Sequence, residues 1–168
     1  MKKYLYFFLF TILLFSSFPN QSQAASTEVT SVGNTATTDY APINKKTGTG
    51  GGVSTFGLDF ARGTVSCYSI SNNVYCPWTI QVGGDVISYS NVTVEIQKDH
   101  GFLNGGWEPH KTLPFNYRIN TPSSTIRNEG STTLSDGAYR ARLGGTFTTV
   151  KNGVYGAWAN GWSYFEVK

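Results

Sequence analysis

Alternation is the dominant pattern along this chain. Val74, Cys76, Trp78, Ile80 and Val82 share one parity, with Tyr75, Pro77, Thr79 and Gln81 between them. Val92, Val94 and Ile96 alternate with Thr93, Glu95 and Gln97. Leu113, Phe115, Tyr117 and Ile119 alternate with Pro114, Asn116 and Arg118, and Tyr139, Ala141 and Leu143 with Arg140 and Arg142. Phe56, Leu58 and Phe60 open the series, and Val65 and Cys67 follow. An aromatic run from Val154 to Val167, broken by Gly156 and Gly161, closes it. A period of two places successive side chains on opposite faces of a strand. Turn residues such as Gly83-Gly84-Asp85 separate the runs, and no 3.6-residue period occurs beyond the first residues. Seven or eight short strands over residues 53–168 predict an all-β antiparallel sandwich. The phase slips near Ser90-Asn91, and Gly144-Gly145 interrupts a strand; both predict bulges or bends.

The N-terminal end sets the compartment. Met1-Lys2-Lys3 is a basic start, Tyr4 to Phe18 is an apolar run, and Ser22-Gln23-Ala24 supplies small residues for cleavage. Residues 1–24 therefore read as a secretory signal peptide cut after Ala24, and the apolar run is short for a membrane span. The short, lysine-led form suggests a bacterial source. Residues 25–52, rich in Ser, Thr and Gly, read as a flexible linker that cannot offset its ordering entropy by burial. The expected product is secreted, extracellular and monomeric.

Charge narrows the partners. The chain holds 13 Lys and Arg against 10 Asp and Glu. Lys2 and Lys3 leave with the signal and no acid does, so the mature chain carries +1. A nearly neutral chain without a basic run points to no nucleic acid, and no second apolar run points to membrane insertion after cleavage.

Compartment bears on the two cysteines, Cys67 and Cys76. Nine positions apart, they read as a metal pair, a redox pair or a staple. Outside the cell, two thiols oxidise to one bridge. With Ser71-Asn72 as a two-residue turn, residues 70 and 73, 69 and 74, and 68 and 75 pair, which brings 67 opposite 76 at a close, non-hydrogen-bonded position. Zinc would need further Cys or His ligands at short spacing, and none is nearby. Cys76 shares its parity with Trp78, so the disulfide is expected beside that indole at the core edge.

The stretch Leu134-Ser135-Asp136-Gly137-Ala138-Tyr139-Arg140-Ala141 resembles the Asp-containing turn and tyrosine of immunoglobulin-like domains, at the start of their penultimate strand. Cys67 with Trp78 is similar to the cysteine and core tryptophan of that family. The family's second cysteine would fall near Ala141, where none stands, and the Asp-to-Tyr spacing is one residue short. The resemblance implies an immunoglobulin-like fold and transfers no functional residue.

Candidate chemistry falls in two places. Asp99 to Lys111 holds both histidines, His100 and His110, with Asp99 and Glu108. Such a set could bind a divalent ion or supply acid and base groups, but its spacing matches no metal motif, and a long solvent-exposed connection between strands is the favoured reading. No Gly-x-Ser-x-Gly elbow supports nucleophilic catalysis, and no catalytic residue or cofactor is assigned. The aromatics carry more. Trp107 stands in Gly105-Gly106-Trp107-Glu108, and Trp158 and Trp162 flank Ala159-Asn160-Gly161 with Tyr155 and Tyr164 nearby. Rings in Gly- and Asn-rich segments form stacking platforms for sugars or peptides, and they also plug the ends of sandwiches. Arg140 and Arg142 read as a solvated strand face, or a rim for an acidic partner. The expected function is non-catalytic binding of an extracellular or cell-surface glycan or protein through Trp107, Tyr155, Trp158 and Trp162. A secreted effector (toxin or enzyme inhibitor) and a metal-dependent hydrolase using the 99–111 loop are the alternatives.

Overall fold

The computed structural model describes residues 29, 31–43 and 61–168. The expected signal peptide, the strand expected at Phe56–Phe60 and the 44–52 part of the expected linker lie outside those residues. Eleven strands occur among the described residues: β1 (Ser31–Val32), β2 (Ala36–Pro42), β3 (Ala61–Val65), β4 (Tyr68–Ile70), β5 (Asn73–Val82), β6 (Ile87–Asp99), β7 (Trp107–Ser123), β8 (Thr125–Thr133), β9 (Gly137–Thr149), β10 (Gly153–Asn160) and β11 (Ser163–Val167). All pairings are antiparallel. The fold is all-β, as the alternation predicts.

Two long strands organise the rest. β5 pairs with β8 along one edge and with β4 and then β3 along the other. β9 pairs with β6 along one edge and with β11 and then β10 along the other, and β7 lies outside β6. β2 joins the two groups, pairing with β3 on one side and β10 on the other. The sheet folds over so that the inner faces meet. Trp78 of β5 packs edge-on against Phe115 of β7, ring centroids 5.1 Å apart. A Cβ on Gly63 of β3 would lie 2.5 Å from the Leu143 side chain of β9, so only glycine lets those strands approach so closely. This two-layer arrangement is compatible with a sandwich.

β2 corrects the linker expectation. Residues 31–43 are built into the sheet, with Ala36, Thr38 and Tyr40 buried on one parity. Thr38 donates its hydroxyl to the Leu143 carbonyl (3.1 Å), and Tyr40 donates to the Gly144 carbonyl (3.3 Å). The segment holds few large apolar side chains because its order rests on ladder hydrogen bonds and buried hydroxyls that are themselves bonded. β8 escaped the alternation for the same reason. Its sequence, TIRNEGSTT, pairs with β5 from Gln81 to Asn73, and its buried Gly130 leaves room for Leu113 and Phe115. Among the described residues the strand count is accordingly eleven, against the expected seven or eight.

The core follows the predicted parity. Val74, Cys76, Trp78, Ile80 and Val82 are buried, as are Val92, Val94, Ile96, Tyr139, Ala141 and Leu143. The bulge expected at Ser90-Asn91 falls instead between Ile87 and Tyr89, where both neighbours of β6 shift register. Gly144-Gly145 keeps register with β6; the irregularity is a left-handed backbone at Gly145, φ 81°.

The Cys67–Cys76 disulfide is present and fully buried, with Cα atoms 4.2 Å apart. Its hairpin has the expected register, Tyr68 opposite Tyr75, Ser69 opposite Val74 and Ile70 opposite Asn73. Ser71, not an asparagine, carries the positive φ of the turn (51°). Asn72 works through its side chain, donating to the Leu134 carbonyl (3.0 Å) and to Asp136 Oδ1 (3.2 Å).

Candidate functional site

The outer face of β6, β9 and β11 gathers the exposed chemistry. Cross-strand register sets it up: Glu95 lies opposite Arg142, Gln97 opposite Arg140, and Tyr164 opposite Arg140 on the other side. Asp99 lies opposite Trp107, which brings that indole to the same face. Trp162 immediately precedes β11 and stands level with Arg142.

These residues form a ladder. The Arg140 guanidinium lies 4.7 Å from the Trp107 ring centroid and 4.0 Å from that of Trp162. Arg142 lies 4.8 Å from the Trp162 ring. A planar cation against indoles is attracted by the ring quadrupole and keeps its edge free for hydrogen bonds. The two arginines use that edge differently. Arg142 pairs with Glu95, Nε and Nη2 donating to one carboxylate oxygen at 2.7 and 2.6 Å. Arg140 donates from Nε (2.9 Å) and Nη2 (2.6 Å) to the amide oxygen of Gln97. Arg140 thus has no carboxylate partner among the described residues. The solvated arginine face expected from the sequence is a stacked one.

At one end of the ladder, Trp107 meets Tyr164 nearly at right angles, with centroids 5.7 Å apart and 72° between planes. This corner walls a shallow recess of about 370 Å3, lined also by Ala138, Ser31 and Glu166. Ser31 belongs to β1, inside the expected linker. Asn34 continues that role, donating to the Trp162 carbonyl (3.0 Å) and accepting from the Tyr164 N–H (2.7 Å). Asn34 therefore holds the backbone on both sides of Ser163 and fixes the spacing of Trp162 and Tyr164.

The other expected aromatics separate. Trp158 is 82% exposed, set outward by the register shift between Ala157 and Ala159 against β2. Tyr155 does not reach the surface. It is 2% exposed and stacked on Phe147 (5.2 Å, 5°), so it is removed from the ligand-binding set. It sits on the inward parity of β10, which the glycine-broken aromatic run concealed.

The 99–111 segment forms the end of the β6–β7 hairpin. His100 Nε2 lies 3.8 Å from a Glu108 oxygen. Asp99 accepts from the Gly101 N–H (2.8 Å), and His110, at a register shift, packs beside Tyr139 (5.6 Å between centroids). His100 and Glu108 thus approach each other, but among the described residues no three His, Cys, Asp or Glu side chains group as metal ligands. Compared with protein-family models, curated proteins and solved structures, the chain finds no match in any of the three.

Proposed function

We propose that this protein is a secreted, non-catalytic binding module for an extracellular or cell-surface glycan. The observation that carries the reading is the Trp107–Tyr164 corner with polar groups of Ser31 and Glu166 beside it. A sugar ring offers an apolar C–H face and a rim of hydroxyls, which an aromatic wall next to acceptors complements. The ladder behind Trp107 holds that ring in place before ligand arrives, lowering the entropic cost of binding. The buried disulfide supports an oxidising compartment. A protein ligand is the second reading, and the outward Trp158 favours it.

The finer architecture is part of the proposal. An immunoglobulin-like sandwich is supported by Tyr139, whose hydroxyl donates to the Ser135 carbonyl (2.8 Å), a tie of the kind made by the corner tyrosine of that fold. Against it, the disulfide staples a hairpin, and two strands follow β9.

Co-sedimentation with insoluble cell-wall polysaccharides tests the function. The wild-type protein is expected to pellet, and Trp107→Ala, shown by circular dichroism to be folded at the assay temperature, to remain in solution. Equal retention of both proteins would remove the glycan site from this corner.

A further inference from the structure

The end of the β6–β7 hairpin carries a feature that the glycan reading does not use. Phe102 and Leu103 form a 3-10 turn with Asn104 and are 96% and 91% exposed, the two most exposed large apolar residues described. Gly101, Gly105 and Gly106 flank them with positive φ, and a Cβ on Gly101 or Gly106 would meet nothing within 4 Å. The tip therefore stands clear of the body. Its shape is held by internal bonds, Asn104 and Gly106 N–H groups donating to the Gly101 carbonyl at 3.0 Å each.

We infer that this tip docks the protein on a lipid bilayer, Phe102 and Leu103 entering the interface between headgroups and acyl chains. Area argues for lipid over protein. Two side chains cover at most about 400 Å2, while a stable protein interface needs roughly 800 Å2 from each partner. The surrounding Asp99, His100, Asn104, Gly105 and Glu108 are polar or small and extend no apolar patch. A bilayer requires no shape complementarity from its partner, and an exposed apolar turn rimmed by polar residues can bury its side chains at the boundary of headgroups and acyl chains.

Charge fixes the kind of bilayer. Lys98 and Lys111 balance Asp99 and Glu108 around the tip. Lys98 is engaged with the Ser135 hydroxyl (2.8 Å) and the Asp136 carbonyl (3.1 Å). The contact is apolar, so it suits a zwitterionic surface and resists salt. It involves the interface alone and needs no spanning segment.

The test is co-sedimentation of the full chain with phosphatidylcholine vesicles, wild type beside the double variant Phe102→Ser/Leu103→Ser. Both chains carry the apolar Tyr4–Phe18 run, so only their difference is read. The partition coefficient is expected to fall by about tenfold or more in the variant, with unchanged melting temperature and little response to salt. A smaller variant, Leu103→Ser, should give an intermediate loss. Equal partition of wild type and double variant would overturn the proposal and assign the tip to a protein partner. Wild-type binding abolished by moderate salt would overturn it too, because charge would then be the driving term.

Discussion

Asp85 offers a sharp test of how this sheet is closed. It sits in the β5–β6 turn, 5% exposed, and reaches across to the turn between β9 and β10. Its carboxylate accepts from the N–H groups of Val86 (2.7 Å), Lys151 (3.2 Å) and Asn152 (2.9 Å). Burial pushes this carboxyl up, but hydrogen bonds from the Thr149 hydroxyl and the Val86, Asn152 and Lys151 amides outweigh it and hold the acid below its ordinary value of 3.8. Asp85→Asn keeps the shape and loses the charge, turning an amide NH2 toward donors. Hydrogen bonds to a charged group contribute about 1.5–3 kcal/mol each, and water reaches a turn more easily than a core, so a total loss of about 2–3 kcal/mol follows. The sign with pH is set by the depressed acid. Its contribution is fully present above the unfolded value and disappears as pH falls through the folded one. Urea unfolding at pH 7, 5, 4 and 3 should show a constant gap between wild type and Asp85→Asn down to about pH 5, then convergence below about pH 4. A gap below about 0.5 kcal/mol at pH 7, or one unchanged at pH 3, would refute the clamp.

Three further outcomes follow from the geometry. Arg140→Ala should lower stability by about 1–3 kcal/mol and shift tryptophan emission, and Arg140→Lys should recover less than half, because a compact ammonium cannot stack on two indoles while bonding Gln97; urea titration followed by fluorescence measures both. Asn34→Ala should cost about 1 kcal/mol and speed hydrogen exchange at the Tyr164 amide selectively, since that amide loses its acceptor. Replacing both Cys67 and Cys76 by Ala should cost about 2.7 kcal/mol on the chain-entropy account of a ten-residue loop, read as a lower urea midpoint that no longer responds to reductant.

Local order was legible where residues close in sequence decide it. The 67–76 hairpin needed only a turn and a parity, because a two-residue loop dictates which residues face each other. The buried faces of β5, β6 and β9 followed from period two, since the same side chains must leave water wherever the strand packs. The candidate site was legible in part. Trp107 and Trp162 stood out by their glycine neighbours, but Arg140 and Arg142 looked like an ordinary polar face. Pairing of β9 with β6 and β11 made them rungs between indoles more than 50 positions apart in the chain.

By itself, the sequence determined the class of fold, the inward parity of the main strands and the disulfide. The tertiary structure alone decided that Ala36–Pro42 joins the two layers, that β8 lies along β5, that Tyr155 is core and that Trp107, Arg140 and Trp162 stack. The reason is physical: alternation records that a side chain faces inward or outward, whereas backbone ladders form through peptide groups every residue carries, so which strand lies beside which leaves almost no mark on composition.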